Sequence, residues 1–119
     1  MTILNRWRAV TAAYAVLIFV FSVIPIAPRL VPGQLDKVAH LCEYLVLAWF
    51  LAHALRTPSR PRVLWRAWWW ATAYGAALEL IQTVVPWRSA DVMDGLTNAA
   101  GAALGVWISK TVRSRTTDY

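Results

Sequence analysis

From Ala9 to Pro28 the chain carries no charge, and three further runs of similar length follow with few polar interruptions. At about 1.5 Å per residue such a run makes a helix of roughly 30 Å, the thickness of a bilayer's hydrocarbon core. Lipid offers the backbone no hydrogen-bond partner, so a run that enters it must be helical. The second run, Val38 to Leu55, is interrupted only by His40, Glu43 and His53, and the third, Ala67 to Trp87, by Glu79 and Gln82. The last, from about Val92 to Ser109, holds Asp94 and Asn98. The pattern predicts an all-α membrane protein, a four-transmembrane-helix bundle in one domain over residues 1–119. The predicted spans are about 9–28, 38–55, 67–87 and 92–109, followed by a polar, frayed tail over 110–119.

A cleaved signal peptide is a poor account of the first run, because its apolar stretch is long and Ile24-Pro25-Ile26-Ala27-Pro28 is a poor cleavage site. Hydrophobic residues make up 59% of the chain and charged residues 15%, too little polar surface for a soluble domain of this size. The net charge of +6 does not indicate nucleic acid, since the cations sit in short clusters between apolar runs. Orientation follows from where they sit. Arg6, Arg8, Arg56, Arg60, Arg62, Arg66, Lys110, Arg113 and Arg115 fall on one side, and only Arg29, Lys37 and Arg88 on the other. The positive-inside rule then places both termini and the middle loop in the cytoplasm, N-in/C-in, with the loops around Arg29–Lys37 and Arg88–Asp91 facing outward. Trp65, Trp68, Trp69 and Trp70 read as an inner interfacial belt, and His53 as a polar anchor at that interface. Cys42, the single cysteine, reads as a small buried hydrophobe.

Five of the six acids, Asp36, Glu43, Glu79, Asp91 and Asp94, belong to the outer half. Helical spacing arranges them. Asp36, His40, Glu43 and Tyr44 share one face, Glu79 and Gln82 another with Gly75 one turn below Glu79. Asp91, Asp94, Asn98, Gly101 and Gly105 form a third stripe, whose lower part is a G-x-x-x-G that lets two helix backbones approach closely. Because an ionised carboxylate against lipid costs a few kcal/mol or more, the three stripes are expected to face one another inside the bundle. Such groups could merely satisfy each other, with Lys37 and Arg88 neutralising two carboxylates. Against that, a polar network seldom stabilises a small bundle more than apolar packing does.

The combination Asp36-Lys37-x-x-His40-x-x-x-Tyr44, Glu79-x-x-Gln82, Pro86-x-Arg88, Asp91-x-x-Asp94 and Asn98-x-x-Gly101-x-x-x-Gly105 resembles the signature of the VanZ-like family. The first helix matches only as an apolar span. The resemblance implies a small multi-pass protein of the bacterial cell (inner) membrane with an envelope-related role; the family's namesake is associated with low-level teicoplanin resistance. It implies no agreed mechanism, so the motif residues enter as site candidates.

Their chemistry admits an acid–base reaction on an outer-leaflet lipid or lipid-linked envelope precursor. Lys37 and Arg88 could hold a phosphate or carboxylate, and His40 could act as general base. Glu79 or Asp94 would supply a proton, Asp91 or Asp36 would orient His40, and Tyr44, Gln82 and Asn98 would give neutral hydrogen bonds. The same constellation could instead bind an envelope precursor or a glycopeptide antibiotic without turnover. Proton-coupled export is disfavoured by the nine-to-three split of Lys and Arg. No cofactor or metal is expected: the carboxylates and His40 could ligate a divalent ion, but no compact H-E-x-x-H motif occurs and two cations stand nearby. No nucleic-acid partner is expected, and the sequence leaves a homo-oligomer open.

Overall fold

Helix α1 (Ile3–Val23) starts where Thr2 can cap it: the Asn5 amide donates to Thr2 Oγ1 at 3.2 Å, satisfying one of the free N–H groups of the first turn. A computed structural model describes residues 2–23, 33–55, 60–84 and 92–116, with 33–36, 60–61 and 112–116 described in backbone only. Three more helices follow, α2 (Gly33–Ala54), α3 (Arg60–Gln82) and α4 (Val92–Thr116), so the described chain is all-helical. The second position of α3 is Pro61, in the first turn, where its missing N–H costs no helical bond. Asp94 lies in the first turn of α4, where the helix dipole favours a negative charge. Helix α3 closes through Thr83 and Val84, whose amides donate to the carbonyls of Leu80 and Ile81, three residues back.

The helices extend past the apolar segments at their polar ends, while α3 stops at Gln82, short of the expected Trp87. Helix α1 begins before Ala9, α2 takes in Asp36 and Lys37, α3 takes in Arg60 to Arg66, and α4 continues to Thr116 through the expected polar tail. Arginine and lysine are good helix formers, so polarity ends an apolar run without ending a helix. Among the described residues, α1 alone is long and apolar enough to cross a membrane by length and composition, with mean hydropathy 1.4. The polar stripes and arginine-rich ends lower the other three.

Antiparallel neighbours are set by specific contacts. Arg8 and Tyr14 of α1 meet Ala54 and Glu43 of α2, and the end of α3 faces the start of α4. The tightest pairing, however, joins two parallel helices that are not sequence neighbours, α2 and α4. A Cβ built on Gly101 would lie 3.0 Å from the Leu41 carbonyl carbon, and one on Gly105 2.9 Å from that of Leu45. Only glycine permits this approach. Helix α3 packs against all three others, and α1 has no contact with α4 among the described residues.

The interior mixes small and polar groups with a few large apolar side chains, Ile18, Leu47, Val63 and Leu78. Ala48, Ala52, Ala67, Ala71 and Ala102 are fully buried, and Thr11, His53, Gln82, Asn98 and Ser109 are buried with them. Large apolar side chains instead point outward on α1 (Val16, Leu17, Phe21), α3 (Trp65, Trp69, Leu80) and α4 (Val92, Leu96, Trp107). Leu80 and Val92 are 72% and 82% exposed. Large apolar side chains thus lie on both the inner and the outer faces, whereas a water-soluble fold keeps most of them inside. The longest dimension is 51 Å, and the four helices of 21 to 25 residues each reach about 30 Å or more at ~1.5 Å per residue.

Candidate functional site

The α2 and α4 stripes converge because the glycines bring their helices together. One turn apart on α2 stand His40 and Tyr44, and one turn apart on α4 stand Asp94 and Asn98. His40 Nε2 lies 4.0 Å from Asp94 Oδ2, with the side chains 18% and 15% exposed. That is an ion-pair separation if the imidazole is protonated, and about 1 Å beyond a normal hydrogen bond. Below this pair, Tyr44 and Asn98 are each 2% exposed. Gly75 of α3 completes the contact: a Cβ there would lie 3.0 Å from both Tyr44 Cε1 and Asn98 Nδ2. Three helices thus meet at Tyr44, Gly75 and Asn98, with His40 and Asp94 one turn above.

Asn98 Oδ1 is buried and has no hydrogen-bond partner among the described residues. An orphaned buried acceptor costs about 1–3 kcal/mol, so an all-apolar side chain of that size would stabilise the packing more. Thr72 Oγ1 on α3 is orphaned likewise. It lines an open groove of about 520 Å³ between α3 and α4 with Glu79, Thr83, Val92, Gly95 and Leu96. The walls are mostly apolar, and Glu79 is the groove's single carboxylate among its described lining residues.

The other candidates divide. Gln82 is 6% exposed but turns to α1, where its Nε2 donates to the Ser22 carbonyl at 3.1 Å. Its i, i+3 spacing from Glu79 leaves the two about 60° apart around the helix, enough to aim one at α4 and the other at α1. Glu43 is half-buried, and its carbonyl accepts from Tyr14 of α1. Lys37 is half-buried at the start of α2. Asp36 is described in backbone only, while Arg88 and Asp91 lie outside the described residues. Asp94 lies beside His40; the sequence offered it, or Glu79, as a proton donor. Among the described residues no three of His, Cys, Asp and Glu converge in a way that could hold a metal ion.

Several polar groups that sequence reasoning passed over tie the bundle together. Tyr14 OH donates to the Glu43 carbonyl at 3.0 Å, Tyr74 OH to that of Ala15, and Trp68 Nε1 to that of Ala99 at 3.1 Å. Trp68 is thus an interhelical tie, whereas Trp65, Trp69 and Trp70 are exposed. His53 is buried within the bundle: it sits between Trp7 and Trp49, ring centroids 4.4 and 4.6 Å away, with Nδ1 2.8 Å from the Trp49 carbonyl. Cys42 is exposed on α2, contrary to the expectation of a buried thiol. A tyrosine or tryptophan in an apolar run is the one available signal for such ties, since its polar atom needs a partner once buried.

A family model described as VanZ/LLP1 matches residues 2–113 of the 119. No curated protein and no solved structure matches the chain.

Proposed function

The chain belongs to the VanZ/LLP1 family, and from that premise we propose that it spans the bacterial cell membrane four times, both termini cytoplasmic, and acts on an outer-leaflet lipid. The four-span reading is supported by the large apolar side chains exposed on three helices, among them Leu17, Phe21, Leu80, Val92 and Leu96. It agrees with the charge bias, which puts nine of twelve Lys and Arg residues on one side.

The observation that carries the functional reading is the His40–Asp94 pair on the glycine-locked α2/α4 seam, above buried Asn98. Asp94 holds the imidazole in orientation, and His40 takes a proton from the substrate or from water. Asn98 and Tyr44 mark the inner end of the polar site. Glu79, in the α3/α4 groove, stands where a lipid entering sideways from the bilayer would pass it. Lys37 and Arg88 are the cations that would hold a phosphate or carboxylate. The substrate class is a membrane lipid or lipid-linked envelope precursor.

Recognition without turnover is the second reading, favoured by the orphaned acceptor at Asn98: it would receive a donor from a bound precursor or glycopeptide without any bond being made. Lipid profiling of cells with and without the protein separates the two. A changed head group or accumulated precursor that reverts in His40→Gln and Asp94→Asn supports acid–base chemistry. Such a group contributes about 10²–10⁴-fold to rate, so residual conversion should be small. Full conversion by both variants, inserted at wild-type levels, would refute it; unchanged lipids with altered antibiotic binding would leave recognition.

A further inference from the structure

At the opposite end of the molecule from the His40–Asp94 pair, α1 stands off from its neighbours. Between the first half of α1, the second half of α2 and the middle of α3 lies an open cleft of about 340 Å³. Ala12 and Ala15 form one wall, Leu47 and Leu51 another, Trp70 and Tyr74 the third. Small residues on α1 make this a slot: the alanines leave the space that larger side chains would fill. Arg8 stands at its end near the N-terminus. Its Nε donates to the Ala54 carbonyl at 3.3 Å, which anchors the guanidinium at the last turn of α2 and leaves both Nη groups for another acceptor. No carboxylate pairs with Arg8 among the described residues. Arg66 is exposed one turn before Trp70 on α3, and Arg62 one turn before that, so positive charge gathers at the same end.

We infer that this cleft binds an acyl chain of an anionic phospholipid from the N-terminal (cytoplasmic-side) leaflet, with the headgroup phosphate on Arg8. The inference rests on the membrane-spanning reading of α1, and is independent of the site at His40. The walls are apolar and suit a flexible acyl chain, while Arg8 at the cleft's end suits a phosphate. The cleft lies in the range of small-ligand pockets, about 300–1,000 Å³. Charge selects the headgroup, because a basic residue at the inner interface attracts anionic lipid by about 1 kcal/mol, or roughly fivefold in affinity.

The test titrates the purified full-length protein with phosphatidylglycerol and, separately, with phosphatidylcholine of the same chains, counting bound lipids by native mass spectrometry. Wild type should retain phosphatidylglycerol about fivefold more tightly. Arg8→Gln should remove that preference and Arg8→Lys should keep most of it, while Ala12→Leu, which fills the slot, should weaken both lipids at least tenfold. Equal binding of the two lipids by wild type, or an unchanged preference in Arg8→Gln, would overturn the headgroup assignment. Wild-type binding by Ala12→Leu would overturn the cleft. His40→Gln should bind phosphatidylglycerol normally, so a failed outer site leaves this result standing. Loss of the protein from alkali-washed membranes would mark instead a failure of the spanning reading.

Discussion

Gly101→Ala and Gly105→Ala test the seam on which the site depends. A Cβ at Gly101 would stand 3.1 Å from Leu41 Cα and at Gly105 3.1 Å from Leu45 Cα, with the carbonyl carbons nearer still. Because the obstacle is backbone, no rotamer change relieves it; α2 and α4 must separate. Overpacking of this kind costs about 1–3 kcal/mol, and a hard backbone obstacle belongs near the top of that range. Alanine returns about 1 kcal/mol through helix propensity, leaving a net loss of about 2 kcal/mol at each position. One separation relieves both contacts, so the double variant should lose about 3 kcal/mol, less than the sum. Gly95 on the same helix is the internal control, since nothing lies within 4 Å of a Cβ there and Gly95→Ala should be neutral or stabilising. Reversible unfolding in mixed micelles, followed by circular dichroism, measures all four. Wild-type stability in the double variant, or an equal loss in Gly95→Ala, would refute the close approach. Separation of the helices should also pull His40 from Asp94, so activity should fall with stability.

Gly75→Ala should push against Tyr44 and Asn98, both fully packed, and cost about 1–3 kcal/mol with loss of the cellular phenotype; unchanged stability and function would argue against the three-helix junction. Tyr74→Phe and Gln82→Leu remove two bonds from α3 to carbonyls of α1. Those carbonyls are on a helix with its own bonds, so each change should cost only about 0.6 kcal/mol, with faster amide exchange in α1 as the readout. Cys42 is exposed about 14 Å from the start of α2 at ~1.5 Å per residue, and thiols react as thiolates, which hydrocarbon excludes. In a Cys42→Ala background, Val31→Cys should label with an impermeant maleimide in intact cells and Arg113→Cys only after permeabilisation. Wild-type Cys42 should label in neither; rapid labelling would place that face in water.

Four helices and their order were readable in the sequence, because apolar length and helical spacing are local properties. The G-x-x-x-G of Gly101 and Gly105 announced a close helix contact, but spacing cannot say with which helix. That the partner is α2, running parallel and two elements away, was decided by packing. The same packing brings Asp94 to His40, a meeting that spacing along either helix alone does not specify. Gln82 shows the opposite case: three residues from Glu79, it serves α1, because a 60° offset suffices to change neighbours once the helices are in place. Tyr14 and Tyr74 lay unremarked within apolar runs and Trp68 was read only with its neighbouring tryptophans, their polar atoms meaningful only when a carbonyl on another helix came within reach. Composition and periodicity, then, determined what each helix is and which face is polar. Only tertiary structure decided which faces meet, because that choice depends on backbone proximity that no stretch of one helix encodes alone.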